Sequence, residues 1–152
     1  MSRTDSATRI IDATPEAVYA ALTEPEALAA WLPPSGMAGE MREFVPGPGG
    51  HYRMVLRYED ETIAGKSRDN EDEVLVRYTD LVPGALVAQE VDFVSDDSSF
   101  AGTMVMNWIL TPRPEGTEVT IRAENVPSGI SVEDHAAGLA SSLENLARYV
   151  EE

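Results

Sequence analysis

The amino-acid sequence predicts an α+β domain: a curved antiparallel sheet of about six to seven strands wrapped around one long C-terminal helix, with two short helices after the first strand. Three observations predict it. From Val132 to Val150, apolar residues recur at three- and four-residue steps, which places them on one stripe of a helix. From Glu40 to Glu124 the dominant period is two, the signature of strands buried on one face. Between those strands there is no βαβ rhythm, so they pair antiparallel. The 152 residues suit a single domain, 1–152, with a real core.

Taken in order, Ala7 to Ala13 forms a first strand with Ile10 and Ile11 as its apolar residues. Thr14-Pro15-Glu16 then reads as a helix start: Thr caps, Pro takes the first helical position, and Glu sits in the first turn. Val18, Ala21 and Leu22 give this helix a short apolar face. Glu24-Pro25-Glu26 restarts a second short helix carrying Leu28, Trp31 and Leu32, which ends at Pro33-Pro34. Two short helices in series make a bent cover.

Glu40 to Val45 and His51 to Tyr58 are strands joined by the turn cluster Pro46-Gly47-Pro48-Gly49-Gly50. In the second, Tyr52, Met54, Leu56 and Tyr58 share one face. A short strand is expected near Thr62–Lys66, followed by a loop. Glu73 to Val82 has Val74, Val76 and Tyr78 in step, and Pro83-Gly84 turns the chain into Leu86 to Val94. There Val87, Gln89, Val91 and Phe93 face one way, and Glu90 and Asp92 face solvent. Gly102 to Thr111 alternates most clearly, with Met104, Met106, Trp108 and Leu110 inward and Val105 and Ile109 outward. Glu118 to Glu124 closes the sheet with Val119, Ile121 and Ala123 inward.

In the C-terminal helix, Val132, His135, Ala136, Leu139, Leu143, Leu146, Ala147 and Val150 form the stripe. Gly129 supplies a turn, Ser131 caps, and Asp134 stands at the capping-box spacing. Glu133 and Asp134 complement the positive end of the helix dipole. Two residues are unusual on this stripe. His135 is polar, and Gly138 sits mid-helix, where it costs about 1 kcal/mol against alanine. Either the glycine lets the helix pack tightly on the sheet beside a hydrogen-bonded histidine, or both line a cavity.

Composition narrows the function classes. With 27 acidic against 11 basic residues the formal net charge is −16, which argues against nucleic acid and anionic membrane as partners. There is no cysteine, so disulfides and thiol chemistry are excluded. The two histidines, His51 and His135, show no metal-ligand spacing, and neither a metal nor a cofactor is expected. The opening MSRTDSATRI has no apolar signal region and no stretch is long enough for membrane insertion, so a cytoplasmic protein is expected.

No nucleophile elbow, P-loop or dinucleotide fingerprint is present, and no catalytic residue is assigned. Instead, the inward faces are rich in aromatic residues and methionine. Met adapts to irregular space, and buried Trp and Tyr require a polar partner. Together with Gly138 this suits an apolar pocket with a few polar points, among them His135, Gln89 and tyrosine hydroxyls. The expected lining is Trp31, Tyr52, Met54, Met106, Trp108, His135, Gly138 and Leu139.

Several segments carry a family resemblance in their order and spacing. They are Ile11 to Val18, Leu28 to Pro33, Pro48 to Tyr52, Phe100 to Met104, and Glu124 to Ile130 leading into Asp134-His135, Gly138 and Ser142 to Leu146. Over nearly the whole chain the sequence resembles the START-like, birch-pollen-allergen-like superfamily (SRPBCC, the helix-grip fold). Within it, the chain is similar to the branch named after the activator of the heat-shock-protein-90 ATPase. The resemblance implies a sheet gripping a long helix with a hydrophobic cavity between them. It implies function only as a range: binding of lipids, hormones or antibiotics, polyketide cyclisation, or stimulation of a chaperone ATPase.

Three functions are therefore expected, in this order. The first is binding of a small hydrophobic or amphipathic molecule between the sheet and the helix. The second is a cyclase- or aromatase-type enzyme acting on a polyketide-like substrate, with His135 or a buried Tyr moving a proton. The third is a protein-binding module, for a chaperone partner or a homodimer, using Val105 and Ile109. The resemblance implies a chaperone activator whose separate N-terminal domain also grips the chaperone; no counterpart to it is expected in this chain, which places a chaperone partner last.

Overall fold

The computed structural model describes residues 3–33, 37–59, 62, 71–95 and 97–151. The chain runs β1 (Thr4–Ile11), α1 (Pro15–Thr23), α2 (Pro25–Trp31), β2 (Met37–Val45), β3 (His51–Tyr58), β4 (Glu71–Val82) and β5 (Leu86–Phe93). A 3-10 turn (Ser98–Phe100), β6 (Met104–Arg113), β7 (Gly116–Glu124) and α3 (Val132–Glu151) complete it. The strands form one seven-stranded antiparallel sheet in the order β1-β7-β6-β5-β4-β3-β2. The expected α+β class and its helix-wrapped sheet are the observed architecture. The strand expected near Thr62–Lys66 lies outside the described residues except for Thr62.

Local chemistry accounts for the elements. The Thr14 hydroxyl accepts the Ala17 N–H at 3.2 Å and Pro15 opens α1. Pro25 likewise opens α2, with no side-chain cap from Glu24. The Ser131 hydroxyl accepts the Asp134 N–H at 3.0 Å, as the cap reading requires. Irregularities between Met41 and Glu43, and between Tyr78 and Asp80, let the sheet bend.

The helix α3 crosses the concave face, packing along β1 and against α1 and α2. Leu139, Leu143, Leu146 and Ala147 are its buried residues. Each fully buried leucine is worth about 1.5–3 kcal/mol of transfer free energy. They meet the inward residues Val87, Leu110, Val119 and Ile121, all nearly inaccessible, in one core. Asn145 donates to the Pro33 carbonyl at 3.3 Å, and Glu151 accepts the Asp12 N–H at 3.0 Å. These bonds fix the C-terminal half of α3 over the α1–α2 cover.

Three sequence expectations are corrected. The first strand begins at Thr4, not Ala7, and Ile10 points outward while Ile11 is buried. Val132 and Ala136 belong to the apolar stripe by spacing but are exposed, Val132 at 54%. That side of the first turns of α3 is open to solvent, while His135 in the same turns is enclosed against Asp5. Gly129 is needed for a different reason than a turn conformation. A Cβ there would stand 2.7 Å from the Phe100 ring and from the Ser99 hydroxyl, and its N–H donates to the Ser99 carbonyl.

Candidate functional site

Where α3 overhangs the sheet, a cavity of about 640 Å³ remains between them. Its wall is the concave face of β3–β6. The antiparallel register sets Tyr52 opposite Val76, Tyr78 opposite Gln89, Gln89 opposite Met106, and Val87 opposite Trp108. Alternation thus delivers Tyr52, Val76, Gln89, Met106 and Trp108 to one continuous lining. The helix α2 contributes Leu28 and Trp31, and α3 contributes His135, Gly138, Leu139 and Ser142. Phe100 and Ile130 close the end beneath the first turn of α3.

Both indole N–H groups of the wall are already paired. Trp31 Nε1 donates to the Ala21 carbonyl at 2.8 Å, and Trp108 Nε1 donates to Gln89 Oε1 at 3.2 Å. Tyr78 donates to the Leu22 carbonyl at 3.1 Å. Burial, with the neighbouring Tyr78, pushes the Tyr52 hydroxyl far up, and burial does the same to Tyr78, so both stay neutral. The wall therefore presents rings and aliphatic groups, with its dipoles turned on one another.

The rim is different. His135 Nδ1 lies 2.7 Å from Asp5 Oδ2, and both side chains are only 11% exposed. The Arg3 guanidinium stands 3.1 Å from the same oxygen. Burial alone would raise the Asp5 carboxyl; the hydrogen bond to His135 and the charge of Arg3 outweigh it and hold Asp5 below its ordinary value. Asp134, in the first turn of α3, also lines the cavity. Among the described residues no three His, Asp or Glu side chains are gathered so as to hold a metal ion.

Of the eight residues expected at the pocket, the structure brings seven together on the cavity: Trp31, Tyr52, Met106, Trp108, His135, Gly138 and Leu139. Met54 is the correction. It is fully buried and off the lining, with its sulfur 3.6 Å from where a Gly39 Cβ would stand. Asp5 was not anticipated. The alternation Asp5, Ala7, Arg9, Ile11 runs in phase with the buried Ile11, a signal that sets Asp5 on the inner face. Phe93 and Phe100 also reach the cavity, and their rings meet at 6.3 Å. On the outer face Val105 is half-buried and Ile109 is 39% exposed, paired in register with Leu86. Glu90 and Asp92 lie on that face too, bonded to Arg77. Among the described residues no helix is long and apolar enough to cross a membrane.

Comparison with known proteins gives the same architecture. Protein CV1439 from Chromobacterium violaceum superposes with a TM-score of 0.86 at 31% identity, covering 99% of each chain. An AHSA1-like protein from Aeromonas hydrophila superposes with a TM-score of 0.72 at 18% identity, over 98% of this chain and 92% of the other. DynU16, from the dynemicin biosynthetic locus, has a TM-score of 0.70 at 20% identity. That match covers 97% of this chain but 47% of DynU16. No curated protein matches the chain. A family model described as activator of Hsp90 ATPase homolog 1-like protein matches residues 12–151, nearly the full length. With that match and the relative from Chromobacterium violaceum, the chain belongs to the family of activator of Hsp90 ATPase homolog 1-like proteins.

Proposed function

We propose that the protein binds a small hydrophobic or amphipathic molecule in the cavity between the sheet and α3. The observation that carries this reading is the cavity itself, about 640 Å³ and lined mainly by aromatic and aliphatic side chains. Cores ordinarily close such space, because each unfilled volume forfeits contacts. Pockets of this size with few polar points are the usual form of small-molecule sites. Native mass spectrometry of the purified protein, set against its denatured mass, tests the reading. A mass excess lost on denaturation identifies a bound molecule. A thermal-shift screen of hydrophobic compounds follows, since any ligand of the folded state raises its melting temperature. Failure of every compound to stabilise the fold would remove the proposal.

One observation favours a second reading, a cyclase-type enzyme. The His135 imidazole is held by a carboxylate at a cavity edge, the arrangement that prepares an imidazole to take a proton. The fold likeness to DynU16, from a biosynthetic locus, is compatible with this. His135→Ala should then lower turnover of a polyketide-like substrate without unfolding the protein. Unchanged turnover would remove His135 from any mechanism.

A further inference from the structure

Both indole N–H groups of the cavity wall are occupied, while the rim carries polar groups that are not. Trp31 gives its indole N–H to the Ala21 carbonyl, and Trp108 gives its own to Gln89 Oε1. His135 spends Nδ1 on Asp5, and among the described residues its Nε2 has no partner although the side chain is only 11% exposed. Ser142 lines the cavity seven residues on, two helical turns or about 10 Å along α3, and its hydroxyl likewise has no partner among the described residues. Gly138 lies between them on the same stripe, and a Cβ added there would meet nothing within 4 Å. The result is a side-chain-free gap in α3, flanked by two open polar groups.

Resting on the binding role proposed above, we infer that His135 is the polar anchor of the cavity and that the ligand is a neutral molecule with an apolar body and a terminal hydroxyl. The body lies on the ring-lined wall, and the hydroxyl end lies over Gly138. The polarity of the bond follows from Asp5. A carboxylate only accepts, so a ring carrying one hydrogen places it on Nδ1 and leaves Nε2 as an acceptor. An acceptor selects a donor, which an alcohol or phenol supplies and an ether does not. A carboxylate ligand is disfavoured because Asp134 lines the same rim and the chain carries a formal net charge of −16.

The test uses three probes with the same hydrocarbon body: decanol, methyl decyl ether and decanoate. Each displaces the neutral dye N-phenylnaphthylamine from the full chain. In the wild type, decanol should compete at about tenfold lower concentration than the ether, the worth of one enclosed hydrogen bond. Decanoate should be the weakest. In His135→Phe, which keeps the ring volume, the alcohol preference should shrink to about twofold or less. In Asp5→Asn, the amide N–H can donate to Nδ1 and move the ring hydrogen to Nε2, so the ether should gain on decanol. Equal competition by alcohol and ether in the wild type overturns the inference. So does a preference that survives in a folded His135→Phe. In both cases the dye still binds and the cavity reading stands. If neither dye nor probe binds the folded wild type, the cavity reading fails and this inference with it.

Discussion

The Trp31 and Trp108 rings meet edge to face, with centroids 5.6 Å apart and planes at 84°, across the gap between α2 and β6. Each indole N–H is occupied behind the contact, Trp31 by the Ala21 carbonyl and Trp108 by Gln89. The pair is thus a rigid strut that keeps the cover over the sheet. Trp31→Ala should lower the unfolding free energy by about 3–5 kcal/mol, through lost burial and an unfilled volume. The Ala21 carbonyl would lose its partner as well. Urea unfolding followed by circular dichroism measures the loss. A change near zero would mean that α2 does not hold the cavity shut.

Asp5 joins the first strand to the last helix across 130 positions of sequence, so its charge state should govern stability at low pH. Its folded carboxyl is held below the ordinary range despite burial, by the hydrogen bond with His135 and the Arg3 charge. A depressed carboxyl stabilises the fold above its unfolded value, about 3.9, and that contribution fades as pH falls through the lower folded value. The wild type should therefore exceed Asp5→Asn by about 1.5–3 kcal/mol near pH 7, with the gap closing below about pH 4. Urea unfolding of both proteins across this range checks it. A gap independent of pH would assign Asp5 a packing role instead.

Most of the fold was readable because strand alternation reports faces directly. Val74, Val76 and Tyr78, or Val119, Ile121 and Ala123, are inward in the chain and inward in the structure. The lining was readable for the same reason, except where burial depth matters. Met54 and Tyr52 share a face, yet Met54 is packed by Gly39 and the cavity opens on Tyr52. Alternation cannot distinguish core from lining. Nor does helical spacing report where a helix leaves its sheet: Val132 and Leu139 fit one stripe, and only Leu139 has the sheet beneath it. The pairing of His135 with Asp5 was hidden by distance in sequence and by the late start assigned to the first strand.

Gln89 is a buried polar residue whose role is to complete Trp108. It is 4% exposed, and its Oε1 accepts the indole N–H. Gln89→Leu keeps the approximate volume but leaves that N–H without an acceptor. The expected loss is about 1–3 kcal/mol, with a blue shift of tryptophan emission as the indole surroundings become less polar. Equilibrium unfolding with fluorescence detection reads both. An unchanged midpoint would show that the rearranged wall satisfies the indole elsewhere.

Gly138 is the position where stability and binding should separate. A helix-interior glycine costs about 0.5–1 kcal/mol relative to alanine, and here a Cβ would enter open space. Gly138→Ala should therefore raise the melting temperature and leave dye binding nearly intact, because one methyl group does not span the gap between His135 and Ser142. Gly138→Leu should retain the fold but place a branched chain across the opening, weakening N-phenylnaphthylamine binding by about tenfold or more. Since both variants remove the same glycine, any difference in binding comes from the volume placed in the gap and not from helix propensity. Equal dye affinity in a folded Gly138→Leu would move the ligand away from this face of α3. A melting temperature lowered by Ala would mean that Gly138 serves close packing after all.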